Sequence, residues 1–142
     1  DLGCGEAGTS IRLAELGYQV DVIDISKTAI NAIKKRSLKV KAFCDDIEKI
    51  DFDKTYDVIL MNGILHFLDD VKLFLQKIKK ITKKYGINII DVFLKGSECA
   101  NDSEGYFFDE NEIIKIYSDW KLLENEVYEE DENKNQFVIF MK

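Results

Sequence analysis

DLGCGEAGTS, residues 1–10, carries the three glycines that decide the fold of this chain. Gly3, Gly5 and Gly8 form a GxGxxG pattern. The pattern follows Asp1–Gly3, which has the character of a strand end, and precedes a helix predicted over Thr9–Leu16. Glycine lets the backbone turn tightly and lets a ligand approach without interference from a Cβ atom. The stretch therefore predicts a strand, loop and helix that form either a ligand-binding loop or a plain glycine turn.

Outward from this loop, short apolar runs alternate with helical patterns, which is typical of βαβ units and a parallel sheet. Tyr85–Gly86 is predicted to turn the chain into the last of the parallel strands. The C-terminal part differs, because Trp120–Asp131 and Gln136–Lys142 are strand-like runs joined by a polar link, Glu132–Asn135, and predict a β-hairpin. We expect an α/β fold whose mostly parallel sheet ends in this antiparallel hairpin. The other predicted strands are Tyr18–Asp24, Lys39–Cys44, Tyr56–Met61 and Ile87–Leu94.

Polar residues mark where the predicted helices begin. Ser26 is a good N-cap residue, and Asp69 or Asp70 begins a helix whose apolar residues recur at helical spacing. Asp109 stands at capping-box spacing from Glu112, before another apolar run. We therefore predict a helix after each of these three points.

Composition limits the kind of partner. The chain has 142 residues, 46% of them hydrophobic, which suits one domain with one core. Its 27 acidic and 20 basic side chains give a net charge of −7, which opposes general attraction to nucleic-acid phosphates. No apolar run approaches the roughly 18 to 20 residues of a membrane span. We expect a small-molecule partner, with neither nucleic acid nor membrane, and the oligomeric state stays open.

The cysteines indicate a cellular compartment. Cys4, Cys44 and Cys99 are widely spaced, are odd in number and fit neither a disulfide framework nor CxxC metal spacing. Reduced thiols of this kind are usual in the cytoplasm. We therefore expect a cytoplasmic protein without a metal site.

Asp24 gives the glycine loop a second, independent feature. It ends a predicted strand 19 residues after Gly5, close to the roughly 20-residue spacing at which an acid meets ribose hydroxyls in dinucleotide folds. A carboxylate suits this task because it accepts two hydrogen bonds from a vicinal diol. The alternative role for Asp24, capping the next helix, suits Ser26 better. The loop and Asp24 together predict an adenosine-type ligand.

Four stretches resemble the motifs of class I S-adenosylmethionine-dependent methyltransferases. DLGCGEAG is similar to the first motif, VDVIDIS to the second, CDDIEKIDF to the third and YDVILMNGILHFL to the strand-four region. The resemblance covers the whole chain, and FFDENEIIKIYSDWKLLENEVYEED is most similar to the tellurite-resistance, TehB-like branch. It implies a Rossmann-like three-layer sandwich, S-adenosyl-L-methionine as cofactor and methyl transfer to a small molecule. The branch suggests a metalloid oxyanion such as tellurite or selenite as the acceptor.

The same resemblance implies the contacts of the cofactor. Asp1 matches the acid near the amino-acid end of the ligand, and Asp24 matches the ribose ligand. In the third motif, Asp46 aligns best with the acid that binds the adenine amino group, and Asp45 aligns second. The backbone N–H of Ile47 suits a ring nitrogen. The expected cofactor-binding residues are Asp1, Gly3, Cys4, Gly5, Asp24, Ile25, Asp45, Asp46, Ile47 and Asn62.

Methyl transfer from a sulfonium is an in-line displacement that depends on alignment more than on covalent help. His66, the only histidine, follows the fourth strand and is either a general base or a packing residue. Asn62 lies closer to the carboxyl edge of the sheet, where α/β folds bind ligands, and either orients ligand or substrate or caps a helix. Tyr106, Phe107 and Phe108 either wall the substrate pocket or belong to the core.

Two other classes of function fit parts of the sequence. A nicotinamide-dependent oxidoreductase shares the glycine loop and Asp24 but leaves Asp1 and Asp46 without a role. A non-catalytic cofactor-binding domain is the second alternative, because Asp1–Gly3 supplies only the end of a first strand and no initiator methionine precedes it. We therefore expect an N-terminally truncated single domain over residues 1–142 that is less stable, and binds S-adenosylmethionine more weakly, than a longer form.

Overall fold

The computed structural model describes residues 1–102 and 104–142. The chain divides into two compact units, residues 1–51 and 52–142, and each contains its own hydrogen-bonded strands. The expectation of a single domain stays a prediction. The sequence also predicts a loop over Lys95–Phe108, and Ser103 within it lies outside the described residues.

The first unit alternates helices and parallel strands, as the sequence predicted. Strand β1 pairs in parallel with β2, from Val20 opposite Val40 to Asp24 opposite Cys44. Leu2 makes a separate parallel bridge to Ile23, which agrees with the strand character predicted for Asp1–Gly3. The elements are α1 (Gly8–Glu15), β1 (Val20–Asp24), α2 (Lys27–Arg36) and β2 (Val40–Cys44).

The core of the first unit lies between these helices and strands. Helix α2 begins at Ser26, whose Oγ accepts a hydrogen bond from the Ala29 N–H at 3.2 Å, as the N-cap prediction required. Ile30 and Ile33, three residues apart, fall on one face of this helix and are buried. The buried cluster that they join contains Ala7, Ala14, Val22, Ile30, Ile33 and Val40.

The second unit contains a four-stranded sheet in the order β3-β4-β6-β5. Strands β3 and β4 are parallel, whereas β6 is antiparallel to both β4 and β5. This pairing confirms the predicted C-terminal hairpin. The elements are β3 (Tyr56–Asn62), a 3₁₀ turn (Leu65–Phe67), α3 (Val71–Ile81), β4 (Thr82–Phe93), α4 (Cys99–Asp102), α5 (Glu112–Ile116), β5 (Lys121–Glu130) and β6 (Asn133–Met141).

Helix α3 covers part of this sheet. It begins after Asp70, whose Oδ1 accepts a hydrogen bond from the Leu73 N–H at 2.9 Å. Phe74, Leu75 and Ile78 recur at helical spacing and are buried, and the helix contacts β4. None of the helices within the described residues is long and apolar enough to cross a membrane.

The predicted turn at Tyr85–Gly86 is wrong, because β4 already begins at Thr82. The register shifts within the strand, so that Tyr56 lies opposite Thr82 but Val58 lies opposite Ile87. Tyr85 has a positive φ of 64°, and a Cβ at Gly86 would lie only 2.9 Å from the carbonyl oxygen of Lys83. The glycine therefore permits a bulge inside a continuous strand rather than a turn before it.

Two other elements begin or end at residues that differ from the prediction. The hairpin turns at Asp131 and Glu132, with φ values of 49° and 64°, and the rest of the predicted link, residues 133–135, belongs to β6. Helix α5 has Asn111 as its N-cap rather than Asp109. One half of the predicted capping box does form, since the Glu112 carboxylate accepts a hydrogen bond from the Asp109 N–H at 3.1 Å.

Candidate active site

The glycine loop is tightly turned and open to a ligand. Gly3, Gly5 and Ala7 all have positive φ values, of 65°, 51° and 52°. The N–H groups of Gly3 and Cys4 both donate to the Ile23 carbonyl, at 2.9 and 3.1 Å. A Cβ added at Gly5 or Gly8 would meet no atom within 4 Å, so the space beside the loop is clear. The loop therefore fits the close approach of a ligand, which is the use that its glycines predicted.

Asp24 is held against this loop by both of its carboxylate oxygens. Oδ2 accepts a hydrogen bond from the Gly5 N–H at 2.8 Å, and Oδ1 accepts one from the Ser26 N–H at 2.8 Å. A carboxylate has about four lone-pair positions, so two remain for other donors. The geometry fixes Asp24 beside the glycine loop with capacity for a diol.

Asp1 is oriented by a residue that the sequence analysis missed. The Ser10 hydroxyl donates to Asp1 Oδ2 at 2.7 Å, and Ser10 is completely buried in α1. In the sequence, Ser10 is visible only as a small polar residue on the inner face of the predicted helix. Its role could not be predicted, because it depends on which residue the buried hydroxyl contacts. The Asp1 carboxylate is thus partly satisfied within the protein.

Cys4 and Ile25 complete the expected contacts of the loop. Burial, followed by the negative charge of Asp24, raises the pKa of the Cys4 thiol to about 11, so the thiol stays protonated at neutral pH. Ile25 directly follows Asp24 and is 75% exposed. The loop region therefore presents a neutral thiol and an exposed apolar side chain rather than a nucleophile.

The two acids of the third motif have different partners. Asp46 accepts hydrogen bonds from the Glu48 N–H at 3.0 Å and from Lys49 Nζ at 2.7 Å. The Lys49 hydrogen bond is the main cause that lowers the pKa of Asp46. Asp45 is exposed, and its Oδ1 accepts the Asp46 N–H at 2.8 Å. The side chain of Ile47 is buried, which anchors the start of this turn.

In the second unit, Asn62 is the last residue of β3, and His66 lies in the 3₁₀ turn that follows. Asn62 is exposed and lies opposite Asp91 of β4. The His66 imidazole packs among three aromatic rings, with centroids 3.8 Å from Phe67, 4.9 Å from Phe93 and 6.0 Å from Phe107. Burial disfavours the charged imidazolium and lowers the pKa of His66 below 6.5. The imidazole is therefore neutral at ordinary pH.

Of the two roles that the sequence left open for the three aromatic residues after β4, the structure shows the core role for one of them. Phe108 is buried in the core, whereas Phe107 lies against His66. The Tyr106 hydroxyl donates to Glu112, and this hydrogen bond raises the pKa of Tyr106 to about 12. Its N–H donates to the His66 carbonyl at 3.0 Å, so this segment holds the histidine in place.

A second feature that the sequence analysis missed is a hydrogen-bonded pair, Asp91 and Tyr128. The Tyr128 hydroxyl donates to Asp91 Oδ2, and burial is the main cause that raises the pKa of Asp91. The available signal was one acid within the apolar run INIIDVFL. The pair lies in the wall of a cavity of about 270 Å³ at this end of β4. Across residues 1–102 and 104–142, no group of three or more His, Cys, Asp or Glu could hold a metal ion.

Comparison with solved structures identifies the class of fold. A crystal structure of TehB from Haemophilus influenzae superposes with a TM-score of 0.85 at 24% identity, covering 99% of this chain and 56% of that one. Magnesium protoporphyrin IX methyltransferase (ChlM) from Synechocystis PCC 6803, solved with bound SAH, gives 0.82 at 16% identity and covers 100% of this chain and 72% of that one. These likenesses confirm the predicted Rossmann-like α/β fold.

The family follows from the sequence comparison. The model of the family "Tellurite resistance protein TehB" matches residues 1–139, so the chain belongs to the TehB family, as its motifs predicted. A probable S-adenosyl-L-methionine-dependent methyltransferase TehB from Haemophilus influenzae is 29% identical over 151 residues. That alignment covers 98% of this chain but 53% of the relative. The chain thus spans about half the length of this curated relative.

Proposed function

We propose that this chain binds S-adenosyl-L-methionine and transfers its methyl group to a small molecule. The observation that carries the proposal is the Asp24 carboxylate, which lies against the glycine loop with lone pairs left for a ribose diol. Membership of the TehB family supports the same cofactor, because the curated relative bears the name of an S-adenosyl-L-methionine-dependent methyltransferase. A nicotinamide-dependent oxidoreductase has no such support.

On the cofactor side, each expected residue has a distinct proposed role. Asp24 binds the ribose, Asp1 interacts with the amino-acid end, and the backbone of Gly3, Cys4 and Gly5 lies under the ligand. For the adenine, the sequence ranks Asp46 first, but both of its carboxylate oxygens accept hydrogen bonds within the turn, whereas Asp45 accepts one through Oδ1. The contacts therefore favour Asp45. The Ile47 N–H and the exposed Ile25 side chain complete this set.

For the transfer itself, bound S-adenosylmethionine supplies an electrophilic methyl group on a sulfonium. Asn62 offers an exposed amide that orients the acceptor. The neutral His66 imidazole takes a proton from an acceptor that must lose one, since burial keeps it in its basic form. These two are the proposed catalytic residues, and alignment of donor and acceptor supplies most of the rate.

The family name makes tellurite and selenite candidate acceptors. The net charge of −7 supports a small-molecule partner rather than a nucleic acid or an anionic membrane. We also propose a cytoplasmic location, for which the support is that none of the three cysteines forms a disulfide within the described chain.

Calorimetric titration of S-adenosylhomocysteine into the chain tests the proposal, with NAD as the comparison ligand. We expect S-adenosylhomocysteine to bind and Asp24→Ala to weaken it roughly tenfold to a hundredfold, because two charge-assisted hydrogen bonds are lost. Glu6→Gln is the matched control, since it removes a carboxylate from the same loop whose side chain is 95% exposed. The same titration into Asp45→Asn and Asp46→Asn ranks the two adenine candidates.

Circular dichroism of each variant shows whether the loop remains folded, because Asp24 also bonds to the backbone. Asp24→Asn provides a milder change that keeps one acceptor oxygen. Affinity for S-adenosylhomocysteine that is equal in the wild type and in Asp24→Ala, or binding of NAD alone, would contradict the proposal. Binding without turnover of any acceptor would favour the non-catalytic alternative.

A further inference from the structure

The cavity at the end of β4 lies wholly within the second unit. It has a volume of about 270 Å³, near the lower end of the range for small-molecule sites. Strand pairing explains its walls, since Asn62 lies opposite Asp91, and Phe93 and Tyr128 both lie opposite Asn135. Because side chains alternate between the faces of a strand, these groups share one face of the sheet. The cavity is therefore built by regular strands and the hairpin that follows them.

The lining of this cavity is polar and negatively charged. Three carboxylates, Asp91, Glu130 and Asp131, belong to it, together with several amide side chains. No lysine, arginine or histidine is among the described residues that line it, and the nearby Lys134 ammonium is 2.9 Å from Glu110 instead. Such a lining repels an oxyanion and attracts a cation with N–H donors.

The cavity also adjoins the groups proposed for catalysis. Asn62 is one of its lining residues, and Phe93 both lines the cavity and packs edge-on against the His66 ring. The half-buried Asp91 carboxylate has a raised pKa, with desolvation as the main cause and Glu130 as a further one. A cation bound beside it would offset both effects.

We propose that this cavity is the acceptor site and that it selects a small amine, bound as its ammonium ion. The inference rests on the proposed function, which supplies the methyl donor. It favours an amine as the acceptor over the metalloid oxyanions that the family name suggests. The size of the cavity limits the acceptor to a small molecule with room for one ring against Phe93 and Tyr128.

The transfer balances without any other reactant. The bound ammonium first loses one proton to the neutral His66 imidazole, which later releases it to solvent, and this loss frees the nitrogen lone pair. That pair forms the new N–C bond to the methyl group while the C–S bond breaks, and the bonding electrons stay on sulfur. The products are the N-methylated ammonium and the neutral thioether S-adenosylhomocysteine.

A matched set of three probes tests the selectivity. Benzylamine, benzyl alcohol and benzoate have similar shapes but are positive, neutral and negative at neutral pH. We would titrate each into the chain by calorimetry, with and without saturating S-adenosylhomocysteine. We expect benzylamine to bind at least tenfold more tightly than benzyl alcohol, and benzoate to bind least.

Two variants of neighbouring residues locate the binding. Glu130→Gln removes a charge from the cavity and should weaken benzylamine about threefold to tenfold without affecting benzyl alcohol. Glu129→Gln makes the same change one residue earlier in β5, outside the cavity lining, and should leave both affinities unchanged. Asp131→Asn is a second cavity variant, and asparagine tolerates the positive φ of 49° at this turn.

Each outcome separates the inference from the proposed function. Equal affinities for the three probes, a preference for benzoate, no binding at all, or equal effects of Glu129→Gln and Glu130→Gln would each overturn the cavity assignment. If S-adenosylhomocysteine binds while benzylamine does not, the proposed function stands and the acceptor inference fails. If benzylamine binds as expected while S-adenosylhomocysteine does not, the cation site stands and the proposed function fails.

Discussion

His66 is the one titratable imidazole of the chain, so its pKa can be measured without assignment. We expect nuclear magnetic resonance of the imidazole protons to give a pKa below the usual 6.5, because partial burial disfavours the imidazolium. The Phe67 ring packs on the imidazole and is itself 67% exposed. Phe67→Ala should therefore return the pKa towards 6.5.

The sign of this shift also predicts a pH dependence of stability. The folded state has the lower pKa, so the unfolded state binds the proton first as the pH falls. The contribution of neutral His66 to stability is full above pH 6.5 and is lost as the pH falls from there through the folded-state pKa. A measured pKa at or above 6.5, or one unchanged in Phe67→Ala, would contradict the assignment.

At the residue scale, the sequence predicted where the site residues lie in the fold better than it predicted their hydrogen-bond partners. Spacing from the glycines placed Asp24 beside the loop, because a strand end and the next loop recur at a regular distance in this fold. It could not predict that Ser10 would hold Asp1 or that Lys49 would engage Asp46, since both depend on side-chain directions. Asp91 was missed for the same reason, because its tyrosine partner is 37 residues away.

At the element scale, α3 offers a direct test of its buried face. Leu75 is fully buried on this helix and Leu73, two residues earlier, is 63% exposed. We expect Leu75→Ala to lower the free energy of unfolding by about 2 to 5 kcal/mol, through lost burial and a cavity. Leu73→Ala should stay within about 0.5 kcal/mol. Urea denaturation followed by circular dichroism measures both, and similar losses for the two variants would show that the helix packs differently.

The predicted elements exist, but their ends were harder to place. The misplaced ends share one feature, which is a left-handed backbone at a residue other than glycine: Tyr85, Asn111, Asp131 and Glu132. Sequence patterns associate such turns with glycine, so the bulge in β4 and the hairpin turn fell at neighbouring residues. Strand pairing and packing impose these conformations, and neither is visible in a local stretch.

At the scale of the whole molecule, the alternation of apolar runs predicted the α/β class and the late hairpin. The motif resemblance supplied the family, which composition alone does not reveal. The division into two compact units was not anticipated, because no proline-rich or low-complexity linker marks the boundary between residues 1–51 and 52–142. Compactness depends on contacts between distant residues, so it could not be deduced from local composition.

Net charge supplies a prediction for the entire chain. The protein has a net charge of −7 at neutral pH and therefore repels the phosphate backbone of nucleic acids. Attraction to these phosphates provides most of the affinity in non-specific nucleic-acid binding. We expect no retardation of duplex DNA or of single-stranded RNA in native gels at low salt, up to protein concentrations of about 100 µM, the weak end of non-specific affinities. A basic protein of similar size serves as the positive control. Retardation that weakens steeply with added salt would reveal a local cationic surface, and a nucleic-acid acceptor would then replace the small molecule as the leading proposal.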